Sequence, residues 1–180
     1  MGKKLITLLI IAILLFQVTG CGGGASAYKS AAKGWVKELE FINNKYKPLL
    51  KRAYENHTII TSGSFFVDLT NYKKVADQLQ EQIDAIEKYK ANNDVPSKYK
   101  TAQEKFDLMI AEYKVIISNV DELGVLRQQM EDEMHDKQTQ KLFDQVSVKD
   151  ADSAIAMTTL IYESMLRAID YLAEADKGLA

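Results

Sequence analysis

Two histidines, His57 and His135, are the side chains of this 180-residue sequence best suited to proton transfer or metal ligation near neutral pH. His135 follows Glu131 and Asp132 at spacings of four and three, which puts imidazole and carboxylate on one helix face, a donor set that suits a transition metal. A di-iron bundle needs two Glu-x-x-His pairs and two further Glu residues, and that spacing does not occur. His57, Asp132 and His135 thus form an incomplete ligand set, and no cofactor is expected. Asp150-Ala151-Asp152 opens like a calcium loop, but Ile155 stands where Gly belongs and Ile161 where the bidentate Glu belongs. The sequence has no nucleophile elbow, no Walker phosphate loop and no H-E-x-x-H, and after Gly34 only Gly63, Gly124 and Gly178 remain to build a phosphate cradle. The run Glu131-Asp132-Glu133 reads as a solvated face. The expectation is a chain that is not an enzyme. With 23 basic against 25 acidic residues, nothing in the charge balance favours nucleic acid as a partner.

The one remaining reactive group is the thiol of Cys21, the only cysteine. Before it, Lys3 and Lys4 lead into Leu5 to Phe16, apolar apart from Thr7, and then into small residues. This is a basic n-region, an apolar h-region and a processing site. A spanning helix needs roughly 20 apolar residues, and Gln17, Thr19 and Gly20 break the run first. Val18-Thr19-Gly20-Cys21 resembles the lipobox of bacterial lipoproteins, with Val18 where Leu is more usual. The resemblance covers only the leader. It implies cleavage between Gly20 and Cys21, a thioether-linked diacylglycerol on Cys21, and a mature protein held at the outer face of a bacterial membrane, the cell surface if the host is Gram-positive. Two acyl chains at about 0.8 kcal/mol per buried CH₂ make such a tether durable without a membrane span.

Removal of residues 1–20 takes away two Lys and no acid, leaving 21 basic against 25 acidic side chains. With its cysteine consumed by lipid, the chain has no disulfide to lean on, and 160 residues must be stabilised by core burial. The Gly-rich stretch through Ala27 suggests a flexible tether over 21–27, followed by one domain over 28–180.

That domain is four amphipathic stretches with apolar residues alternating at spacings of four and three. The first seam is Tyr28, Ala32, Trp35, Leu39, Ile42, Tyr46, Leu49 and Ala53, with Pro48 expected to kink the helix and not to end it. The second is Tyr72, Ala76, Leu79, Ile83 and Ile86, closed by Asn92-Asn93-Asp94-Val95-Pro96. The third, Tyr99, Ala102, Phe106, Met109, Tyr113, Ile116, Val120 and Leu123, continues to Met130 and Met134 across Gly124, a weak point or a close helix crossing. Ser147 to Asp150 resembles a capping box ahead of Ala154, Thr158, Ile161, Met165, Ala168, Leu172 and Ala175, and the helix finishes near Gly178. An all-α fold follows, an antiparallel up-down four-helix bundle with long helices. A dimeric coiled coil is the alternative.

A tether at the start of the first helix puts the 92–95 turn and the C-terminus near the membrane and the other two connections at the far tip. One of these, His57 to Asp68, holds Ile59, Ile60, Phe65 and Phe66, which either form a partner-binding tip or plug the end of the core. The functional expectation is a non-catalytic helical interaction or scaffold module of the cell envelope with a protein or cell-wall partner. The alternative is a small-molecule or metal receptor with a cavity between helices lined by Tyr46, Tyr72, Tyr99 or Tyr113.

Overall fold

The computed structural model describes the backbone of residues 24–55, 64–136 and 148–180, and side chains over 24–55, 69–129 and 152–180. Four long helices account for it: α1 (Gly24–Glu55), α2 (Ser64–Asn92), α3 (Lys100–Asp136) and α4 (Val148–Gly178). A 3₁₀ turn, Ser97–Tyr99, leads into α3, and the Tyr99 N–H donates to the Pro96 carbonyl at 2.8 Å. Among the described residues there is no strand, and no helix is long and apolar enough to cross a membrane.

Surface ion pairs fix the direction of each helix against its neighbours. Lys33 meets Asp176 and Tyr54 stacks on Tyr162, so α1 and α4 run antiparallel. Lys90 meets Asp107 and Glu87 meets Lys114, which reverses α3 relative to α2. Lys105 with Glu174 and Glu112 with Arg167 do the same for α3 and α4. Trp35 against Tyr89 at one end, and Tyr46 with Leu50 beside Tyr72 and Val75 further along, reverse α2 on α1. Each helix touches the next and α4 returns to α1, so α1 and α3 lie on a diagonal. Two buried hydrogen bonds cross that diagonal, Tyr28 to Gln103 and Asn43 to Tyr113, and both ascend the two helices together. The fold is the expected up-down four-helix bundle.

Every seam residue named above for α2 is buried, as are those of α4 and those of α3 through Leu123. In α1 one position differs. Leu50 is buried and Leu49 is 40% exposed. A straight helix has 3.6 residues per turn, so a strict seven-residue stripe drifts around it. Here the drift is taken up at Ile42 and Asn43, both buried, after which the seam steps to Tyr46, Leu50 and Ala53. Pro48 lies inside α1, and the helix continues past it to Glu55.

Three further expectations change. Gly24–Ala27, assigned to the flexible tether, form the first turn of α1, because Ala25 packs against the core and Tyr28 is fully buried one turn later. Tertiary packing outweighs the weak helix propensity of glycine. The connection expected over His57 to Asp68 is shorter, since α2 begins at Ser64 and takes in the backbone of Phe65 and Phe66. Gly124 is no close crossing, as a Cβ there would meet nothing within 4 Å; the close approach is at Gly178, whose Cβ would lie 3.0 Å from the Ala102 Cβ. Gly124→Ala is therefore expected to stabilise the bundle by about 0.5–1 kcal/mol through helix propensity. Gly178→Ala is expected to destabilise it by about 1 kcal/mol, because the Ala102 methyl cannot rotate away. Chemical denaturation of the two variants side by side checks the opposite signs.

Candidate functional site: the aromatic end of the bundle

Tyr28, Trp35, Tyr89, Tyr99 and Phe106 come from three helices and the 3₁₀ turn to one end of the core. Tyr28 stacks on Tyr99 with ring centroids 5.3 Å apart. Trp35 stands edge-on to Tyr28 at 6.0 Å, to Tyr89 at 5.2 Å and to Phe106 at 5.5 Å. Edge-to-face geometry sets the positive rim of one ring against the negative face of the next, so each such pair adds about 0.5–1.5 kcal/mol beyond the area it buries. The Lys98 ammonium sits 4.7 Å from the Tyr99 ring centroid, a cation–π contact on the outer side of the cluster.

A polar chain leads out of the aromatic cluster. The Tyr28 hydroxyl donates to Gln103 Oε1 at 2.9 Å, Gln103 Nε2 donates to Asp107 Oδ1 at 2.8 Å, and Lys90 donates to the same oxygen at 2.6 Å. The first link is buried and the last exposed, so a tyrosine hydroxyl inside the core is satisfied without water. Beside it, Lys29 donates to the main-chain oxygen of Ala180 at 2.9 Å and Lys33 pairs with Asp176 at 2.7 Å, which ties the end of α4 to the start of α1.

The chemistry open to this site is limited by protonation. Burial, then the nearby Asp107 charge and Tyr89, pushes the Tyr28 hydroxyl well above the ordinary tyrosine value of 10.0. Burial raises Tyr113 and Tyr89 as well, although its hydrogen bond with Asn43 pulls Tyr113 the other way. These hydroxyls stay protonated, and those of Tyr28 and Tyr113 act as hydrogen-bond donors, not as bases. Below pH 10 the folded and unfolded chains both hold these protons. Above it the unfolded chain releases them first, so stability falls as pH rises until the folded hydroxyls ionise in turn. Absorbance titration is expected to show a normal group of tyrosines followed by a late group that ionises together with loss of helicity.

The four tyrosines proposed to line a cavity are all buried, but they do not meet. Tyr99 belongs to the aromatic end, Tyr113 pairs with Asn43 in mid-core, and Tyr46 and Tyr72 flank a cleft of about 10 Å³ with Leu49, Leu50, Asn71 and Val75. That is room for about one water molecule. Tyr89, Gln103, Asn43 and Asp107 escaped the sequence reading. Tyr89 carried a detectable signal, an aromatic three residues beyond Ile86. The three polar residues carried none.

Of the expected far tip, Ile59, Ile60 and His57 lie outside the described residues, as do Gly20 and Cys21. Phe65 and Phe66 stand in the first turn of α2, and Asp132 and His135 in the last turns of α3, with their side chains outside the description. Among the described residues no three His, Cys, Asp or Glu side chains gather as a metal site would require. No protein-family model, no curated protein and no solved structure matches this chain.

Proposed function

We propose that the chain is an extracytoplasmic bacterial lipoprotein, anchored through Cys21, that works as a non-catalytic helical interaction module of the cell envelope. The observation that carries this reading is the distance from the lipobox cysteine to the fold. Helix α1 begins at Gly24, three residues after Cys21. Three extended residues span at most about 10 Å, so a lipid on Cys21 holds the aromatic end close to the bilayer. The 32 residues of α1 then carry the opposite end about 48 Å outward. An anchor this short suits a rigid base, and the aromatic cluster together with the Lys29 and Lys33 ties supplies one.

Intact-mass analysis of the N-terminal peptide from native membranes tests the anchor. The expected peptide begins at Cys21 and carries diacylglycerol, and Cys21→Ala abolishes both the processing and the added mass. A mature chain that begins elsewhere, or an unmodified Cys21, overturns the anchor. For the far end, Phe65→Ala with Phe66→Ala is expected to keep helical content and lose crosslinks to an envelope partner. Loss of helicity would instead assign the two rings to the core.

A further inference from the structure

We infer that the outer face of α1 is a docking surface for the outer face of α3 on a second copy of this chain, so that copies standing side by side on one membrane associate in rows. The inference rests on the anchored reading, because the anchor is what gives neighbouring copies the same orientation.

The two faces are exposed and chemically matched. On α1, Phe41 is 64% exposed. From Phe41 to Tyr54 that helix carries Lys45, Lys47, Lys51 and Arg52 and no acid. On α3, Leu108 and Val115 are exposed one above the other, seven residues apart, and Glu122, seven residues further, continues that stripe on the surface. One face is basic around an apolar residue and the other ends in an acid.

Their heights also agree. The buried bond between Asn43 and Tyr113 sets those two residues level across the diagonal, and α1 and α3 ascend in the same direction. Lys51 and Arg52 lie eight and nine residues further on, and Glu122 nine. At 1.5 Å per residue these three charges stand about 12–14 Å above that level. Phe41, two residues below it, falls between Leu108, five below, and Val115, two above. Because α1 and α3 occupy opposite corners of the bundle, their outer faces point away from each other. No chain can pair them within itself. A sideways translation without rotation brings one onto the other with the apolar residues interleaved and the charges opposed.

Such a contact is heterologous and therefore open-ended, which gives rows and not closed dimers. Exposed charge pairs contribute little singly and mainly set register and partner choice. Membrane confinement raises the effective concentration of a weak contact of this kind. The Lys51 bond to Glu55, at 3.5 Å and fully on the surface, is a weak competitor.

The test uses the full lipidated chain, made in isotopically light and heavy forms and mixed in phosphatidylcholine vesicles. A zero-length carbodiimide is expected to form an amide between Lys51 of one isotope and Glu122 of the other. Lys51→Glu with Arg52→Glu is expected to abolish that product, as is Glu122→Lys. All three changes in one chain are expected to restore a reciprocal product between positions 51 and 122, with helicity unchanged throughout. Vesicle flotation reads the anchor separately. A chain that floats without the 51–122 product, or a three-fold swap that fails to restore it, overturns the surface while leaving the anchor. A chain that does not float but gives the mixed product in concentrated solution keeps the surface and loses the anchor. Absence of both overturns both.

Discussion

Trp35→Ala is expected to destabilise the bundle by about 3–5 kcal/mol, the range for deleting a large aromatic from a packed core. Trp35 is only 8% exposed and touches rings from α1, α2 and α3, so its loss opens a cavity where three helices meet. None of Tyr28, Tyr89 and Phe106 can fill the space without giving up its own contacts. Since domains of this size hold together by about 5–15 kcal/mol in total, the variant is expected to be marginal at physiological temperature. Trp35→Phe keeps one ring against the same neighbours and is expected to cost about 1–2 kcal/mol. Urea denaturation followed by far-UV circular dichroism measures both. A Trp35→Ala variant within about 1 kcal/mol of the parent would show that the cluster relaxes around the gap.

The Asn43–Tyr113 pair is expected to give the second large effect, and one of an unusual sign. The two side chains satisfy each other in the centre of the core, at 2.9 and 3.0 Å, with no other partner for either hydroxyl or amide in the hydrogen bonds described. Tyr113→Phe removes one partner and strands a buried amide, at a cost of about 1–3 kcal/mol. Asn43→Leu strands the buried hydroxyl at a similar cost. The double variant strands nothing, and its stability is expected to lie close to that of the parent, well above either single variant. A double-mutant cycle in urea reads this directly. Additive losses would mean that the pair is not coupled.

The two predictions differ in how far they could be foreseen. The aromatic residues announced themselves, since Tyr28, Trp35, Tyr99 and Phe106 all fall on seam positions that periodicity alone locates. Their meeting at one place did not, because it depends on which helices are neighbours and at what height, and a 3.5-residue pattern is blind to both. Asn43 was invisible for a sharper reason. A polar residue beside the seam is discounted as surface, yet Asn43 is buried next to Ile42; further along, the seam takes Leu50 in place of Leu49. From Tyr46, steps of three and four both land on leucine and both continue to Ala53, so the pattern offers no way to choose.

The ends of the elements followed the same logic. Pro48 and Gly124 were legible as interruptions that do not end their helices, and α1 continues to Glu55 and α3 to Asp136. Gly24–Ala27 looked like linker because composition favours that reading, while the helix there is supported by contacts of Ala25 and Tyr28 with distant parts of the chain. The tight approach of Gly178 to Ala102 is likewise a contact between residues 76 positions apart, beyond the reach of any local pattern. As for the candidate far tip, what could be read was composition: Phe65 and Phe66 stood out as apolar residues in a connection, and their place at the start of α2 is a matter of where the helix begins.

The ties between the two ends of the chain bear on how the anchored molecule carries force. In the proposed arrangement a pull on a partner at the far end is balanced at Cys21, so the load enters α1 at its base and runs along its length. Lys29 and Lys33 join α1 there to Ala180 and Asp176 of α4, and the aromatic cluster joins it to α2 and α3. Tension is then shared as shear among four helices, with many contacts resisting together, and α1 is not peeled away turn by turn. Because the lifetime of a loaded domain is set by its unfolding rate and not by its equilibrium stability, these few bonds at the base govern how long the module holds.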